Sequence, residues 1–167
     1  ETPLYLACQS GLLETARQLA AKGADVNATT SRHSGLTLFE WAVDQQNIEI
    51  VAALIDLGAP VNGAASDDWP LFWAASNDRL DIFKLLLARG ANPNRIDAAG
   101  NTLLHIASNA NRTEIVKHLI EMKADVNAVN HGGETPLWLA AEHPEGTKTA
   151  EWLLAAGADA NHRPRSN

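Results

Sequence analysis

The chain has 167 residues, 46% of them apolar and 20% charged, and its 13 lysines and arginines against 20 aspartates and glutamates give a net charge of −7 at pH 7. The length and the apolar fraction suffice for one folded domain with a sizeable core. The excess of acidic residues and the lack of a run of basic ones argue against nucleic acid or a membrane surface as a partner. The single cysteine excludes an internal disulfide, and no apolar stretch approaches the ~20 residues that a membrane-spanning helix needs.

Two sequence blocks recur along the chain. The first reads TPLYLA at Thr2, TLFEWA at Thr37, WPLFWA at Trp69, TLLHIA at Thr102 and TPLWLA at Thr135. The second follows 21 or 22 residues later and reads GADVNA at Gly23, GAPVNG at Gly58, GANPNR at Gly90, KADVNA at Lys123 and GADANH at Gly157. A unit of 32 to 35 residues therefore repeats along the chain, which is typical of proteins built from stacked helical or mixed units.

The first block predicts the start of a helix and the second predicts the end of another. Thr2 and Thr135 each precede a proline, as expected for an N-cap threonine with proline at the first helical position. Thr37 and Glu40 have the spacing of a capping box. Glycine at the start of the second block suits the left-handed residue that ends a helix, and Lys123, which replaces it in repeat four, should lower stability there.

The paired blocks closely resemble the ankyrin repeat, whose first helix typically opens with Thr-Pro-Leu-His and whose second helix ends in Gly-Ala-Asp-Val-Asn. The resemblance covers five repeats, approximately residues 1–32, 33–65, 66–97, 98–130 and 131–167. It implies an all-α solenoid, a stack of helix-turn-helix units with projecting β-hairpin fingers. We predict a single domain over residues 1–167. At one position of the second helix, the first and last repeats carry Thr15 and Thr149, whereas the three middle repeats carry isoleucine. More polar residues in the terminal repeats are expected of repeats that cap the stack.

An aromatic cluster interrupts the pattern in repeat three. In the stretch SDDWPLFWAAS, Trp69 takes the place of the threonine and Phe72 the place of the histidine. Two roles stay open for Trp69: a ring that fills the core and the space between repeats, or a partly exposed anchor for a partner. Repeat four keeps the polar pair, Thr102 and His105, whose side chains can hydrogen-bond to each other.

The residue types that carry catalysis or bind metals do not form a recognisable site. The histidines and Cys8 show no close pair at a zinc-type spacing, and Cys8 is expected to be a small buried side chain. His131 and His143 could approach each other, and Asp67 and Asp68 form a carboxylate pair, but solvated side chains are expected in both cases. We therefore predict no enzyme activity, no metal and no cofactor.

The resemblance implies a module that binds another protein. A stack of helical hairpins offers an extended concave surface and not an enclosed pocket, so we predict binding through the finger tips and the concave helix surface. The contact positions in ankyrin proteins are finger tips, helix starts and the ends of first helices. The finger positions are His33, Ser34, Ala65, Ser66, Ala98, Ala99 and His131. The positions at or just before a helix start are Leu36, Asp68, Trp69, Asn101 and Glu134. The positions at the helix ends are Asp44, Gln45, Ser76, Asn77, Asn109, Glu142 and His143.

This predicted contact set is acidic to neutral, which favours a partner protein with a basic or polar patch. We expect a monomeric, cytoplasmic module, with a secreted effector as the alternative location. The sequence leaves a second function open, a regulatory or targeting segment of a larger enzyme or bacterial effector whose catalytic domain lies outside these residues.

Overall fold

The computed structural model describes residues 1–29, 36–63 and 69–164, with the side chain of Trp69 outside that description. The helices in these ranges are α1 Pro3–Gln9, α2 Leu13–Ala21, α3 Leu38–Asp44, α4 Ile48–Asp56, α5 Trp69–Ser76, α6 Leu80–Ala88, α7 Leu103–Asn109, α8 Thr113–Glu121, α9 Pro136–Ala141 and α10 Thr147–Ala155. A 3-10 turn, Pro144–Gly146, precedes α10. No residue in these ranges belongs to a strand, and isolated bridges join Thr29 to Thr37 and Ile96 to Thr102 at the bases of two fingers.

The chain divides into two compact units. Unit 1 comprises Glu1–Pro70 and Asp81–Ala91, and unit 2 comprises Leu71–Leu80 and Asn92–Asn167. In unit 1, α1 pairs with α2 and α3 with α4, and α2 contacts α4. In unit 2, α7 pairs with α8 and α9 with α10, while α7 packs on α9 and α8 on α10. First helices therefore stack on first helices and second on second within unit 2, which confirms the all-α stack that the resemblance implied.

The helix starts follow the predicted capping rules. The hydroxyl of Thr2 accepts a hydrogen bond from the N–H of Tyr5 at 3.2 Å, and Pro3 occupies the first turn. Thr37 and Glu40 form the predicted capping box: the N–H of Thr37 donates to the Glu40 carboxylate at 2.8 Å, and the N–H of Glu40 donates to the Thr37 hydroxyl at 3.2 Å. Each of these bonds satisfies a backbone donor that the first turn of a helix leaves without a partner.

The ends of the second helices also match the prediction. Gly23, Gly58, Gly90 and Gly157 have φ angles of 91°, 99°, 89° and 93°, in the left-handed region that glycine adopts without a steric penalty. Lys123 stands at the same place with a φ of 66°. Since a non-glycine side chain in the left-handed region costs roughly 1–2 kcal/mol, the lower stability of repeat four stays a prediction with this physical basis.

The turn between α9 and α10 differs from the other helical hairpins. In the first four repeats this turn contains a left-handed residue, which is Gly11, Gln46, Asp78 or Asn111. Repeat five instead uses the 3-10 turn, and a Cβ atom added to Gly146 would overlap the backbone carbonyl of Ala140. This close approach explains why the longer turn of repeat five contains a glycine.

The buried side chains include the predicted small residue on the first helix. Cys8 is buried, and the Tyr5 and Trp41 rings lie 5.1 Å apart between their centroids in the core of unit 1. Phe72 and Trp73 are half-buried. The side chain of Trp69 lies outside the described residues, so both roles predicted for it stay predictions.

Candidate binding surface

Part of the predicted contact set lies outside the described residues, namely His33, Ser34, Ala65, Ser66 and Asp68, together with the side chain of Trp69. The carboxylate pair of Asp67 and Asp68 falls there as well. In unit 1, the described members are Leu36, Asp44 and Gln45. In unit 2, they are Ser76, Asn77, Ala98, Ala99, Asn101, Asn109, His131, Glu134, Glu142 and His143.

Hydrogen bonds hold the finger of repeat four in one shape. The carboxylate of Asp97 accepts from the backbone N–H groups of Ala99 and Asn101, each at 2.8 Å, and from the side-chain amide of Asn101 at 2.9 Å. Ala98 and Ala99 are exposed at its tip. The finger therefore presents two small apolar side chains on a backbone that is already ordered.

The finger of repeat five lies against the finger of repeat four. The N–H of His131 donates to the carbonyl of Ala99 at 2.9 Å, and the side-chain amide of Asn130 donates to the side-chain oxygen of Asn101 at 2.7 Å. The His131 ring covers Gly100, where an added Cβ atom would lie 2.7 Å from it. The structure thus brings the predicted contact residues Ala99, Asn101 and His131 together.

Glu134 is held at the base of its finger. Its N–H donates to the side-chain oxygen of Asn130 at 2.9 Å, and its carboxylate accepts from the side-chain amide of Asn130 at 2.8 Å. The residue is half-exposed. Glu134 therefore adds a negative charge beside Asn101 and His131 in an orientation that the finger fixes.

His105 lies fully buried beneath this finger. The N–H and the hydroxyl of Thr102 lie 3.2 and 2.9 Å from its Nδ1, and its Nε2 lies 3.1 Å from the carbonyl oxygen of Glu134. Since a backbone N–H can only donate and a carbonyl can only accept, the ring is neutral with its proton on Nε2. Burial lowers the pKa of His105, and the hydrogen bond to Glu134 opposes this shift in part.

A second group of predicted residues meets at the ends of the first helices in unit 2. Asn109 is exposed at the end of α7, and its side-chain oxygen lies 3.2 Å from Nε2 of His143, which follows α9. Glu142 is exposed next to His143. The ring of His131 lies on its neighbouring finger, so the two histidines that could approach each other contact different partners.

Ser76 and Asn77 form a smaller polar group at the end of α5. The side-chain amide of Asn77 donates to the carbonyl of Trp73 at 2.9 Å and to the hydroxyl of Ser76 at 3.0 Å. The guanidinium Nε of Arg112 donates to the carbonyl of Ser76 at 2.7 Å. These bonds fix the helix end, while Asn77 itself is exposed.

In unit 1 the corresponding helix end carries Asp44 and Gln45, both exposed. The Gln45 amide donates to the Asp44 carboxylate at 3.1 Å. Gln45 also lines a shallow groove of about 310 Å³ with Gln9 and Trp41. Leu36, just before the capping box, is half-buried.

The sequence prediction missed a groove in unit 2. Leu137, Trp138 and Ala141 of α9 form one wall, residues 159–163 form the other, and the volume is about 350 Å³. Trp138 is 37% exposed. The available signal was the tryptophan in TPLWLA, which stands where repeat four has His105.

In residues 1–29, 36–63 and 69–164, no three histidine, cysteine, aspartate or glutamate side chains are grouped to hold a metal ion. Burial raises the pKa of the Cys8 thiol to about 11. The thiol is therefore protonated at neutral pH and is a poor nucleophile. Over the same described part of the chain, no helix combines the length and the apolar character needed to cross a membrane.

A family model described as "Ankyrin repeats (3 copies)" matches residues 1–65 and 71–164. Human palmitoyltransferase ZDHHC13 is 35% identical over 150 residues, which are 89% of this chain and 24% of that protein. Palmitoyltransferase Hip14 of Drosophila melanogaster is 34% identical over 102 residues, 60% of this chain and 16% of its own length. The chain thus spans a quarter or less of these relatives.

Proposed function

Because this chain belongs to the ankyrin-repeat family, we propose that it is a non-enzymatic module that binds a partner protein through its finger tips and the ends of its first helices. The observation that carries the proposal is the pair of joined fingers in unit 2. There the His131 N–H and the Asn130 amide link one finger to the next, while Ala98, Ala99 and His131 remain exposed. A surface that is ordered before binding loses less conformational entropy when a partner docks.

The charges of the proposed contact residues, in each unit taken by itself, favour a partner with a basic patch. Asp44 and Glu142 are exposed at helix ends, and Glu134 is half-exposed at a finger base. Complementary charges mainly accelerate association and select against wrong partners. Added salt should therefore slow association with the partner more than it speeds dissociation.

The test compares two double variants in affinity capture from a lysate of the source organism. The contact variant combines Asp44→Lys with Glu142→Lys, and the control combines Glu49→Lys with Glu151→Lys on α4 and α10. All four carboxylates are exposed, and both variants raise the net charge by four. We expect a partner that the native chain and the control retain and that the contact variant binds at least about tenfold more weakly.

Two results would contradict this proposal. If the control loses the partner as fully as the contact variant does, the effect comes from total charge and not from the contact set. If both variants retain it, the partner uses another surface. Circular dichroism of each variant establishes that it is folded before either result is read.

A second candidate function is that of a regulatory or targeting segment of a larger enzyme. Relatives such as the human protein favour this function, because they are named palmitoyltransferases and extend well beyond the matched region. The complete open reading frame tests this directly. A catalytic domain joined to residues 1–167, whose activity in the full protein changes when these residues are deleted, would support it, and a frame without such a domain would reject it.

A further inference from the structure

A groove of about 310 Å³ in unit 1 lies at the ends of the first helices α1 and α3. Residues 30–35, which are outside the description, precede the start of α3, and the seven residues of this helix separate that start from the groove end by roughly 10 Å. Every lining residue is described, and these are Cys8, Gln9, Trp41, Gln45, Asn47 and Ile50.

At the equivalent place in unit 2, an arginine links two successive repeats. Ser76 ends its first helix as Gln9 ends α1, and Arg112 is the N-cap of its second helix as Asn47 is the N-cap of α4. Nε of Arg112 donates to the carbonyl of Ser76 at 2.7 Å. Arg112 is half-buried. A guanidinium therefore fits between the ends of successive repeats at this level of the stack.

Unit 1 lacks this arginine but keeps the acceptor. Asn47 is shorter than arginine, and its side-chain oxygen accepts from the N–H of Ile50 at 3.1 Å, so it caps its own helix. Among the described residues, no donor reaches the carbonyl of Gln9, which is the counterpart of the Ser76 carbonyl. The end of a helix leaves such carbonyls without an intrahelical partner. Unit 1 thus has space and an acceptor where unit 2 has a guanidinium.

The charges around the groove favour a cation. Segments 9–14 and 44–50, which frame it, contain no lysine or arginine. Their carboxylates, all exposed, are Glu14, Asp44 and Glu49. The Gln45 amide donates to the Asp44 carboxylate at 3.1 Å, which leaves the side-chain oxygen of Gln45 as a further acceptor. Trp41 lies in the groove wall, and guanidinium groups stack on aromatic rings.

We propose that this groove binds an arginine side chain of the partner protein. The guanidinium donates to the carbonyl of Gln9 and to the side-chain oxygen of Gln45, next to the negative charge of Asp44. The methylene stem packs against Trp41. Arginine is selected over lysine because its planar fork of donors serves two acceptors at once. The site depends on the function proposed above, since it names the side chain that a basic partner presents to unit 1.

The test uses short peptides with blocked ends, Gly-Arg-Gly, Gly-Lys-Gly and Gly-citrulline-Gly, at constant ionic strength. Citrulline has nearly the shape of arginine but no charge. The readout is the shift of the Trp41 indole and Gln45 side-chain amide resonances of the nitrogen-15-labelled chain. We expect saturable shifts with the arginine peptide at millimolar concentration, and binding at least about fivefold weaker for the other two peptides.

Asn47→Arg gives repeat two the arginine that repeat four has. Its guanidinium should occupy the groove and weaken the arginine peptide at least about tenfold. The N-cap Arg112 makes no side-chain cap bond, so arginine is compatible with this position of the repeat. Gln46→Arg is the matched control, because Gln46 is exposed, does not line the groove and undergoes the same change of charge. It should keep the native affinity within about threefold.

If Asn47→Arg does not fold, Gln45→Ala takes its place, since Gln45 is exposed. Loss of its side-chain oxygen should weaken the arginine peptide about threefold or more. Circular dichroism establishes that each variant is folded before its affinity is compared with that of the native chain.

Several results would overturn the proposal. They are no shift up to about 20 mM arginine peptide, equal binding of the three peptides, or equal affinity of Asn47→Arg and the native chain. Tighter binding of Gly-Leu-Gly would assign the groove to an apolar side chain. A dimer in sedimentation experiments that Asn47→Arg abolishes would assign it to a second copy of the chain.

Failure of the arginine site can be distinguished from failure of the proposed function. If the arginine peptide does not bind but the contact variant loses the captured partner, the contact surface stands and the groove does not hold an arginine. If the peptide binds as expected but the contact variant retains the partner, the groove accepts arginine and the proposed contact surface is wrong.

Discussion

His105 makes the stability of the fold depend on pH. Its Nδ1 accepts from Thr102, so a proton can be added there only by breaking those bonds. Burial lowers the pKa of His105 in the folded chain, so the unfolded chain takes up this proton at a higher pH. The stability that this histidine contributes is therefore complete above the unfolded pKa of about 6.5 and is lost as the pH falls below that value towards the folded pKa.

The measurement for His105 is the urea midpoint of the native chain and of His105→Gln from about pH 8 to about pH 5. We expect the native midpoint to fall over the acid part of this range. The variant should be less stable at neutral pH and should show a smaller decrease, because it lacks the buried imidazole whose protonation opposes folding. Parallel pH profiles of the two proteins would show that His105 does not cause the acid sensitivity.

Ser108 carries a polar group that its surroundings do not satisfy. The residue is fully buried in α7, and its hydroxyl has no hydrogen-bond partner in the described structure. The equivalent residues in repeats three and five are Ala75 and Ala141, so alanine is compatible with this place in the repeat. Since a buried unsatisfied hydroxyl costs roughly 1–3 kcal/mol, we expect Ser108→Ala to raise the free energy of unfolding by about 1 kcal/mol.

Urea unfolding at neutral pH measures this change. Ser108→Val, which also removes the hydroxyl but adds volume, is the comparison. We expect Ser108→Val to be less stable than Ser108→Ala because it adds volume at a fully buried position. A Ser108→Ala variant that is less stable than the native chain would show that the hydroxyl forms a hydrogen bond in solution.

The turn before α10 depends on the absence of one side chain. The Cβ that alanine would place at Gly146 overlaps the carbonyl of Ala140, and it would lie 2.9 Å from the side-chain oxygen of Asn111. The carbonyl belongs to α9 and cannot move without disturbing the helix. We expect Gly146→Ala to lower the free energy of unfolding by about 1–3 kcal/mol, as for other overpacked sites.

Gly132→Ala is the control for Gly146→Ala. Gly132 lacks a left-handed φ, and a Cβ there would approach only side-chain atoms, at 3.3 Å or more. Chemical denaturation should show a small change for Gly132→Ala and a large one for Gly146→Ala. Equal midpoints would mean that the turn rearranges to accept the side chain.

The starts and ends of the helices could be predicted because their rules act over a few residues. Thr37 caps α3 by accepting from the N–H of Glu40, three positions away, and Gly58 ends α4 through its own backbone conformation. The joined fingers could not be predicted in this way. His131 donates to Ala99 and Asn130 to Asn101, and these partners lie about one repeat apart in the chain. Such contacts depend on how successive repeats stack, which the motifs do not encode residue by residue.

The repeat period predicts a stack of helix pairs, but it does not say which side chains bind a partner. The finger and helix-end positions were taken from the family pattern, and they remain a prediction for this chain. Trp138 shows why that pattern is incomplete. It stands at a position that is structural in repeat four, where His105 is buried, and yet 37% of it is exposed in repeat five. Exposure here depends on what covers the helix and not on the motif.

The net charge of the whole molecule should keep copies of the chain apart at neutral pH. At pH 7 the charge is −7 with all six histidines neutral, and the isoelectric point is about 5.3. Like-charged copies repel, and this repulsion weakens as the charge approaches zero. We expect sedimentation to give a monomer of 17.9 kDa near pH 7.5, with self-association appearing as the pH approaches the isoelectric point.

The cause of acid association can be separated from acid unfolding. Acidification lowers the net negative charge of the molecule as the pH approaches the isoelectric point, whereas protonation of His105 would disrupt the helix start that it caps. Charge-driven association should therefore appear while circular dichroism remains native, and added salt should promote it at neutral pH by screening the repulsion. A dimer at pH 7.5 that does not change with salt would contradict the prediction, because it would require a contact strong enough to overcome that repulsion.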